Sequence, residues 1–176
     1  MMALLFVIGG VLLLFVFMVI VTYNSLVKLR NLVDSAWSGI TIPLKLRADL
    51  IPNLVATVKG YAAHEESVFS EIADARARMA GTTSPKELAN ANEELTGALG
   101  RLFAVAENYP DLKASTNFSD LQTELSDIEN KIQAARRGYN NGVTEYNTKL
   151  QIFPNNIIAS MFSFKEREFF GVSEKE

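Results

Sequence analysis

The sequence predicts an all-α protein in which an N-terminal transmembrane helix is followed by an up-and-down bundle of four long helices. Two observations predict this fold class. An uncharged apolar run extends from position 3 to position 21, and apolar residues then recur every three or four positions along most of the chain. No segment has the strict apolar and polar alternation that is typical of a half-buried strand. The length of 176 residues fits a single domain.

The apolar run predicts a membrane anchor over residues 1–22. A helix of this length spans about 28 Å, close to the hydrocarbon thickness of a bilayer. The alternative is a cleaved signal peptide, which would have a basic start, a shorter apolar stretch and a small-residue exit, and the anchor is favoured because the sequence has none of these. The side chains expected to contact lipid or its interface are Leu4, Leu5, Phe6, Val7, Ile8, Val11, Leu12, Leu13, Leu14, Phe15, Val16, Phe17, Met18, Val19, Ile20, Val21 and Tyr23.

The flanking charges predict the orientation of this anchor. Lys28 and Arg30 follow the run, and no basic side chain precedes it. The positive-inside rule therefore places the N-terminus outside and the rest of the chain in the cytoplasm. The sequence thus predicts a single-pass protein of the cytoplasmic (inner) membrane.

Residues 23–153 are predicted to form the bundle, and its first reversal is the least certain boundary. Pro43 and Pro52 both interrupt the apolar pattern, and a proline can begin a helix but disturbs one in its interior. A reversal between Arg47 and Pro52, with Asp49 as the N-cap, gives two arms of similar length and is the preferred prediction. A turn at positions 39–43 and a single kinked helix are the alternatives.

The later helices have clearer start and stop signals. Ser84, Pro85 and Glu87 form a capping-box pattern that predicts a helix start, and this helix should end before Asn108. The next start is predicted at Asn117.

The last long helix carries a heptad repeat that is typical of a coiled-coil seam. Ala135 and Gly142 leave a gap in the neighbouring row, and Trp37, the only tryptophan, is predicted to fill it. The predicted bundle seam consists of Trp37, Phe118, Leu125, Ile132, Tyr139, Tyr146 and Phe153.

Residues 154–176 are predicted to form a C-terminal tail that is unusually apolar for a chain end. Because the last bundle helix returns towards the membrane, the tail could lie in the lipid interface with Lys165 and Arg167 near phosphates. It could equally fold over the open end of the bundle.

Composition excludes several classes of site. The chain has no cysteine and one histidine, so thiolate metal sites, H-E-x-x-H proteases and di-iron bundles are excluded. A net charge of −3 argues against a nucleic-acid partner. We therefore predict no enzyme activity, catalytic residue, cofactor or metal. The charged side chains Arg47, Asp49, Arg76, Arg136 and Arg137 are expected to pair between helices.

Several short stretches together carry a family resemblance, and they occur in order along nearly the whole chain. They are Tyr23-Asn24, Trp37, Leu46–Val55, Lys59–Tyr61, His64-Glu65, Ala75-Arg76, Glu107–Leu112, Ala135-Arg136, Tyr139-Asn140, Tyr146-Asn147 and Phe153-Pro154. The sequence resembles the LemA family of bacterial membrane proteins. This resemblance implies one N-terminal span with an outside N-terminus, a cytoplasmic helical bundle and no established enzymatic activity. Relatives involved in forming magnetosome membranes imply membrane organisation, and Pro43 departs from the family pattern.

Two functional hypotheses follow. The first is a non-enzymatic membrane-anchored scaffold that contacts the lipid bilayer and forms a homo-oligomer. The alternative is an accessory or sensor subunit whose bundle binds another membrane protein, such as a protease or a signalling partner.

Overall fold

The computed structural model describes residues 1–171, apart from the side chain of Leu4. No strand occurs in this part of the chain, which confirms the all-α fold class with a long apolar N-terminal helix. The helices are α1 (Met2–Lys59), α2 (Glu66–Gly81), α3 (Pro85–Ala106), α4 (Pro110–Lys113), α5 (Thr116–Gln151) and α6 (Asn155–Met161).

Helix α1 continues without a break through Pro43 and Pro52, so the predicted reversal between Arg47 and Pro52 is wrong. A proline inside a helix removes one N–H donor and leaves the carbonyl four residues earlier without its partner. For Pro52 that carbonyl belongs to Ala48, and the Arg76 Nε of α2 donates to it at 2.9 Å. A side chain from another helix thus replaces the missing bond. Asp49 is exposed in the helix interior and does not cap a new helix.

The first reversal lies at residues 60–65, after which α2 and α3 form a hairpin. The predicted start of α3 is confirmed, because Ser84 is the N-cap and Pro85 the first helical residue. The capping box itself does not form, since the Ser84 hydroxyl donates to Glu168 Oε2 and Glu87 accepts from the Thr82 hydroxyl. Its predicted end is also confirmed, because α3 stops at Ala106. The buried apolar face of α3 is Leu88, Ala91, Leu95, Leu99, Leu102 and Ala106.

Helix α5 carries the predicted heptad and begins at Thr116, and its N-cap, Ser115, lies two residues before the predicted cap Asn117. Five residues of the predicted seam are buried: Phe118, Leu125, Ile132, Tyr139 and Tyr146. Phe153 departs from this pattern, because α5 ends at Gln151 and the Phe153 side chain is 78% exposed. The physical reason is Pro154, since a residue before proline is disfavoured in the helical conformation.

The bundle runs up, down, up and down through α1, α2, α3 and α5, with two long and two short helices instead of four long ones. Because α2 and α3 have 16 and 22 residues and α5 has 36, the hairpin covers α1 and α5 only where they are farthest from the apolar N-terminal segment. We call this region the far half. In the near half, next to the apolar segment, α1 and α5 are covered by α6 and by residues 162–171, which we call the strap.

Trp37 lies in the near half at the edge of the core. Its ring centroid is 5.4 Å from that of Tyr139 and 6.1 Å from that of Phe170 in the strap. The neighbour of Gly142 is Val33, since a Cβ on Gly142 would lie 3.6 Å from Val33 Cγ2. The tryptophan therefore packs one turn away from Gly142, on the ring of Tyr139.

Candidate functional site

Helix α1 contains the one segment of residues 1–171 that is long and apolar enough to cross a membrane. Its most apolar window has a mean hydropathy of 3.0, and 6% of that window is buried. Met18 and Val19 are half-buried, and Tyr23 is 37% exposed. The other predicted anchor side chains with a described position are exposed, namely Leu5, Phe6, Val7, Ile8, Val11, Leu12, Leu13, Leu14, Phe15, Val16, Phe17, Ile20 and Val21.

Aromatic contacts join the end of the apolar segment to the start of the strap. The Tyr23 ring centroid lies 4.8 Å from Phe162 and 5.7 Å from Phe164. The Arg30 guanidinium stands 5.4 Å from the Phe164 centroid, in cation–π geometry. Thr22 and Leu26, on the neighbouring face of α1, are buried. The point where α1 leaves the predicted membrane is therefore packed against the C-terminal part of the chain.

The strap is held by side chains that bond to its backbone. Asn140 accepts from the Phe170 N–H at 2.9 Å and donates to the Phe170 carbonyl at 3.1 Å. Asn147 makes the same pair of bonds to Arg167, both at 2.9 Å. Each asparagine amide thus offers the strap one donor and one acceptor, as the backbone of a neighbouring β-strand would.

Three further contacts fix the end of the strap and orient it. The Tyr139 hydroxyl donates to the Glu168 carbonyl at 2.8 Å, and Arg136 Nη2 donates to the Gly171 carbonyl at 2.6 Å. Arg167 pairs with Asp34 of α1 at 2.8 Å. Gly171 has a φ of +67°, and a Cβ there would lie 3.2 Å from Arg136 Nη2, so the position favours glycine.

Sequence reasoning missed the function of Asn140 and Asn147. It placed Tyr139 and Tyr146 in the core, where both are buried, and treated the asparagines as their neighbours. The signal that could have revealed them is their spacing, since two asparagines seven residues apart lie on one stripe of a helix. The strap runs along α5, and Arg167, which was expected to lie near lipid phosphates, pairs with Asp34 of α1. Residues 172–176 of the predicted tail lie outside the described residues.

Arg47 of α1 forms the centre of a buried polar cluster between three helices. Its Nη1 lies 2.7 Å from Glu129 Oε2 on α5 and donates to Asn92 Oδ1 on α3 at 2.6 Å. Burial lowers the pKa of the Arg47 guanidinium, and the Glu129 carboxylate opposes this shift. Arg47 Nε and Glu129 Oε2 have no well-aligned hydrogen-bond partner. The cluster therefore fixes helix register at some energetic cost.

The other charged side chains expected to pair do so differently or are exposed. Arg76 and Arg136 bond to backbone carbonyls of Ala48 and Gly171, and Arg137 is exposed. Within residues 1–171, no three histidine or acidic side chains converge on a point that could hold a metal ion.

Two apolar surfaces that are open to solvent involve α1. A groove with a volume of about 520 Å³ lies between α1 and α2, and its walls include Leu44, Ala77 and Met79. The second surface, the α1 stripe, consists of Leu32, Ser35, Gly39, Ile42 and Leu46, which are all exposed.

Comparisons with known proteins agree on one family. The family described as LemA family matches residues 36–176. Protein LemA of Metamycoplasma hominis is 31% identical over 166 aligned residues, covering 92% of this chain and 74% of that protein. Magnetosome protein MamQ 2 and Magnetosome protein MamQ 1 of Paramagnetospirillum magneticum are each 28% identical over 182 aligned positions, covering 89% of this chain and 67% of each relative.

None of these names denotes a catalytic enzyme. The match covers the second half of α1, the hairpin, α5 and the strap, so it includes both halves of the bundle. With its long apolar N-terminal helix and its all-helical bundle, the chain belongs to the LemA family.

Proposed function

We propose that the chain is a non-enzymatic helical scaffold that is anchored in the cytoplasmic membrane, self-associates through α1 and takes part in membrane organisation. In this proposal the N-terminus is outside and the bundle is in the cytoplasm, as Lys28 and Arg30 favour. The lack of enzyme activity is proposed from the composition. The role in membrane organisation is proposed from the family resemblance and from the relatives that are named magnetosome proteins.

The continuity of α1 supports a fixed arrangement of the bundle on the membrane. The helix runs for 58 residues from the apolar segment into the bundle without a linker. Every copy in one bilayer would therefore hold α1 parallel to the α1 helices of its neighbours, with the same end in the membrane. Parallel association between copies then needs only rotation of each helix about its own axis, because the anchors already align the helices.

The α1 stripe is the observation that carries self-association. Leu32, Ile42 and Leu46 are 56%, 61% and 50% exposed, and no other helix of the described bundle covers them. With Ser35 and Gly39 they follow the alternating three- and four-residue spacing of a coiled-coil seam. A Cβ on Gly39 would meet no atom within 4 Å.

Two copies related by a two-fold axis would bring each stripe residue against its counterpart. Ser35 and Gly39 are four residues apart, and small residues with this spacing let two helix backbones approach closely. The larger side chains on either side would then pack around that point of approach. A parallel pair along the stripe would also extend directly into the two anchors.

Cross-linking in membranes tests this arrangement, and the absence of native cysteine makes single-cysteine variants clean. We expect Gly39→Cys to form a covalent dimer with a short bifunctional maleimide. Gly97→Cys on α3 is the matched control, because Gly97 is also an exposed helical glycine with no atom within 4 Å of a Cβ. Equal cross-linking of the two variants, or none at Gly39→Cys, would contradict association through α1.

Particle mass in detergent separates the scaffold from the accessory-subunit alternative. We expect a homogeneous oligomer of the 19.5 kDa chain, and Ile42→Lys should dissociate it by placing two positive charges in contact. The alternative is favoured by the apolar groove between α1 and α2, which could bind a helix of another membrane protein. A monomeric wild-type chain would support that alternative.

A further inference from the structure

Large apolar side chains are exposed at the end of the near half, around α6. Ile157 and Met161 are one turn apart on the same face of α6 and are 53% and 62% exposed. Phe153 and Phe162 flank the helix and are 78% and 46% exposed. We call Ile152, Phe153, Ile157, Met161 and Phe162 the α6 patch. Asn155, Ile158 and Ala159 form the opposite, buried face of the helix.

The residue pairing between α1 and α5 shows where the α6 patch lies along the bundle relative to the apolar segment. Arg47 lies beside Glu129, Trp37 packs on Tyr139, and Val33 is the neighbour of Gly142. The two helices therefore run antiparallel with nearly constant pairing. Continuing that pairing places Phe153 opposite Tyr23, which is the residue that follows the last turn of the apolar segment.

The segment after Phe153 extends at least to that level. Helix α6 contacts α1 as well as α5, and the Phe162 ring at its far end is 4.8 Å from Tyr23. Met18 and Val19 are half-buried, although they lie within the uncharged apolar run. Burial at these two positions fits α6 lying beside the last turn of the membrane segment. This is the depth at which acyl chains meet headgroups.

The charged side chains near the α6 patch favour lipid over another protein surface as its partner. Residues 1–33 and 146–165, which form most of this end of the molecule, contain no acidic side chain, and one carboxylate from the strap, that of Glu166, reaches it by accepting from Gln151 Nε2 at 2.7 Å. Their ionisable side chains, apart from tyrosine, are Lys28, Arg30, Lys149 and Lys165. A basic rim around an apolar patch suits anionic phosphates above an acyl layer, whereas two copies of this surface would repel each other.

We propose that α6 lies in the headgroup and acyl boundary of the cytoplasmic leaflet, where the α6 patch forms a second membrane contact beside α1. Its aromatic rings would sit at the interface as Tyr23 does, and the surrounding lysines would reach the phosphates. Two contacts at different points fix the tilt of the bundle, which one helix alone does not do. The inference rests on the membrane anchor of the proposed function but not on self-association.

Depth-dependent quenching on the full chain in vesicles tests the proposal. A fluorophore is attached to Ile157→Cys or Met161→Cys, and to Tyr61→Cys as a control at the exposed turn after α1. The vesicles contain anionic phospholipid, with or without lipid that carries a nitroxide near the headgroup. We expect nitroxide lipid to quench the two α6 labels several-fold more than the control label, and aqueous iodide to quench them several-fold less.

Two results would overturn the lipid contact. Iodide quenching of the α6 labels equal to that at Tyr61→Cys would show that the patch faces water. Protection from both quenchers would show that protein covers it. Because these positions are exposed, the substitutions should keep the wild-type helical circular dichroism. Cross-linking of Gly39→Cys is measured in parallel in vesicles of the same composition, so failure of the lipid contact is separable from failure of self-association.

Discussion

The far half and the near half of the bundle are assembled by different interactions. In the far half, α2 and α3 bury periodic apolar faces against α1 and α5, with Leu54, Ile72 and Leu95 fully buried. In the near half, an extended strap lies on the same two helices and is held by amide and hydroxyl side chains. Apolar periodicity therefore specifies the first half, whereas individual hydrogen bonds specify the second.

The largest effect is expected in the far half, at its one buried charge. Arg47→Ala removes the partner of Glu129 and leaves an unpaired carboxylate, which typically costs about 3–5 kcal/mol. Because the Glu129 side chain is 27% exposed and can rehydrate, we expect the lower end of that range, about 3 kcal/mol. Thermal unfolding of the purified chain in detergent, followed by circular dichroism, measures the loss.

Two variants show whether the unpaired charge is responsible. Arg137→Ala removes an exposed arginine from α5 and should stay within about 0.5 kcal/mol of wild type. Arg47→Met combined with Glu129→Leu removes both charges and should recover most of the stability. A double variant as unstable as Arg47→Ala would assign the effect to the lost hydrogen bond to the buried Asn92 and not to the unpaired carboxylate.

The fold of the far half was largely predictable from its periodicity. The faces of α3 and α5 follow three- and four-residue spacing, and Pro85 marks a helix start because its missing N–H and fixed φ suit the first helical position. The error at Pro52 has a non-local cause, since the carbonyl of Ala48 is satisfied by Arg76 from the next helix. No local pattern around a proline contains that information.

The site residues of the near half were less predictable. Asn140 and Asn147 are visible as a pair seven apart, but their partner is an extended segment that has no period of its own. The α1 stripe was hidden for a different reason. Helix α1 is apolar on its buried face and on its exposed face, and sequence spacing alone does not tell which of the two is covered.

A smaller effect is expected when the strap is released. Asn140→Asp keeps the acceptor for the Phe170 N–H but replaces the amide donor by an oxygen that repels the Phe170 carbonyl. We expect a loss of about 1–3 kcal/mol, the range for an unsatisfied buried polar group. Trypsin should also cleave after Lys165 more rapidly, because the freed strap fits a protease cleft.

The neighbouring residue provides the control for this substitution. Asn141→Asp introduces the same charge on the exposed side of α5 and should change stability by no more than about 0.5 kcal/mol. Equal effects at both positions would mean that the added charge, and not the strap, determines the outcome.

The smallest effect is a loss of stability at alkaline pH, and it should begin in the near half. Burial raises the pKa of Tyr139 and Tyr146, and the nearby Arg167 opposes both shifts. In the unfolded chain these phenols ionise near pH 10, while the folded chain still holds their protons. The folded state then binds more protons than the unfolded state, so stability falls as the pH rises above about 10.

Single phenylalanine variants separate this titration from hydrogen bonding. Tyr146→Phe should have a flatter dependence of stability on pH above about 10 and little change at neutral pH. Tyr139→Phe should be flatter too, but it should also be less stable at every pH by about 1 kcal/mol, because it loses the bond to the Glu168 carbonyl. Cleavage after Lys165 should increase in wild type before the helical signal falls, since the strap depends on Tyr139 and the far half does not. An unchanged pH slope in both variants would place the alkaline transition in the far half instead.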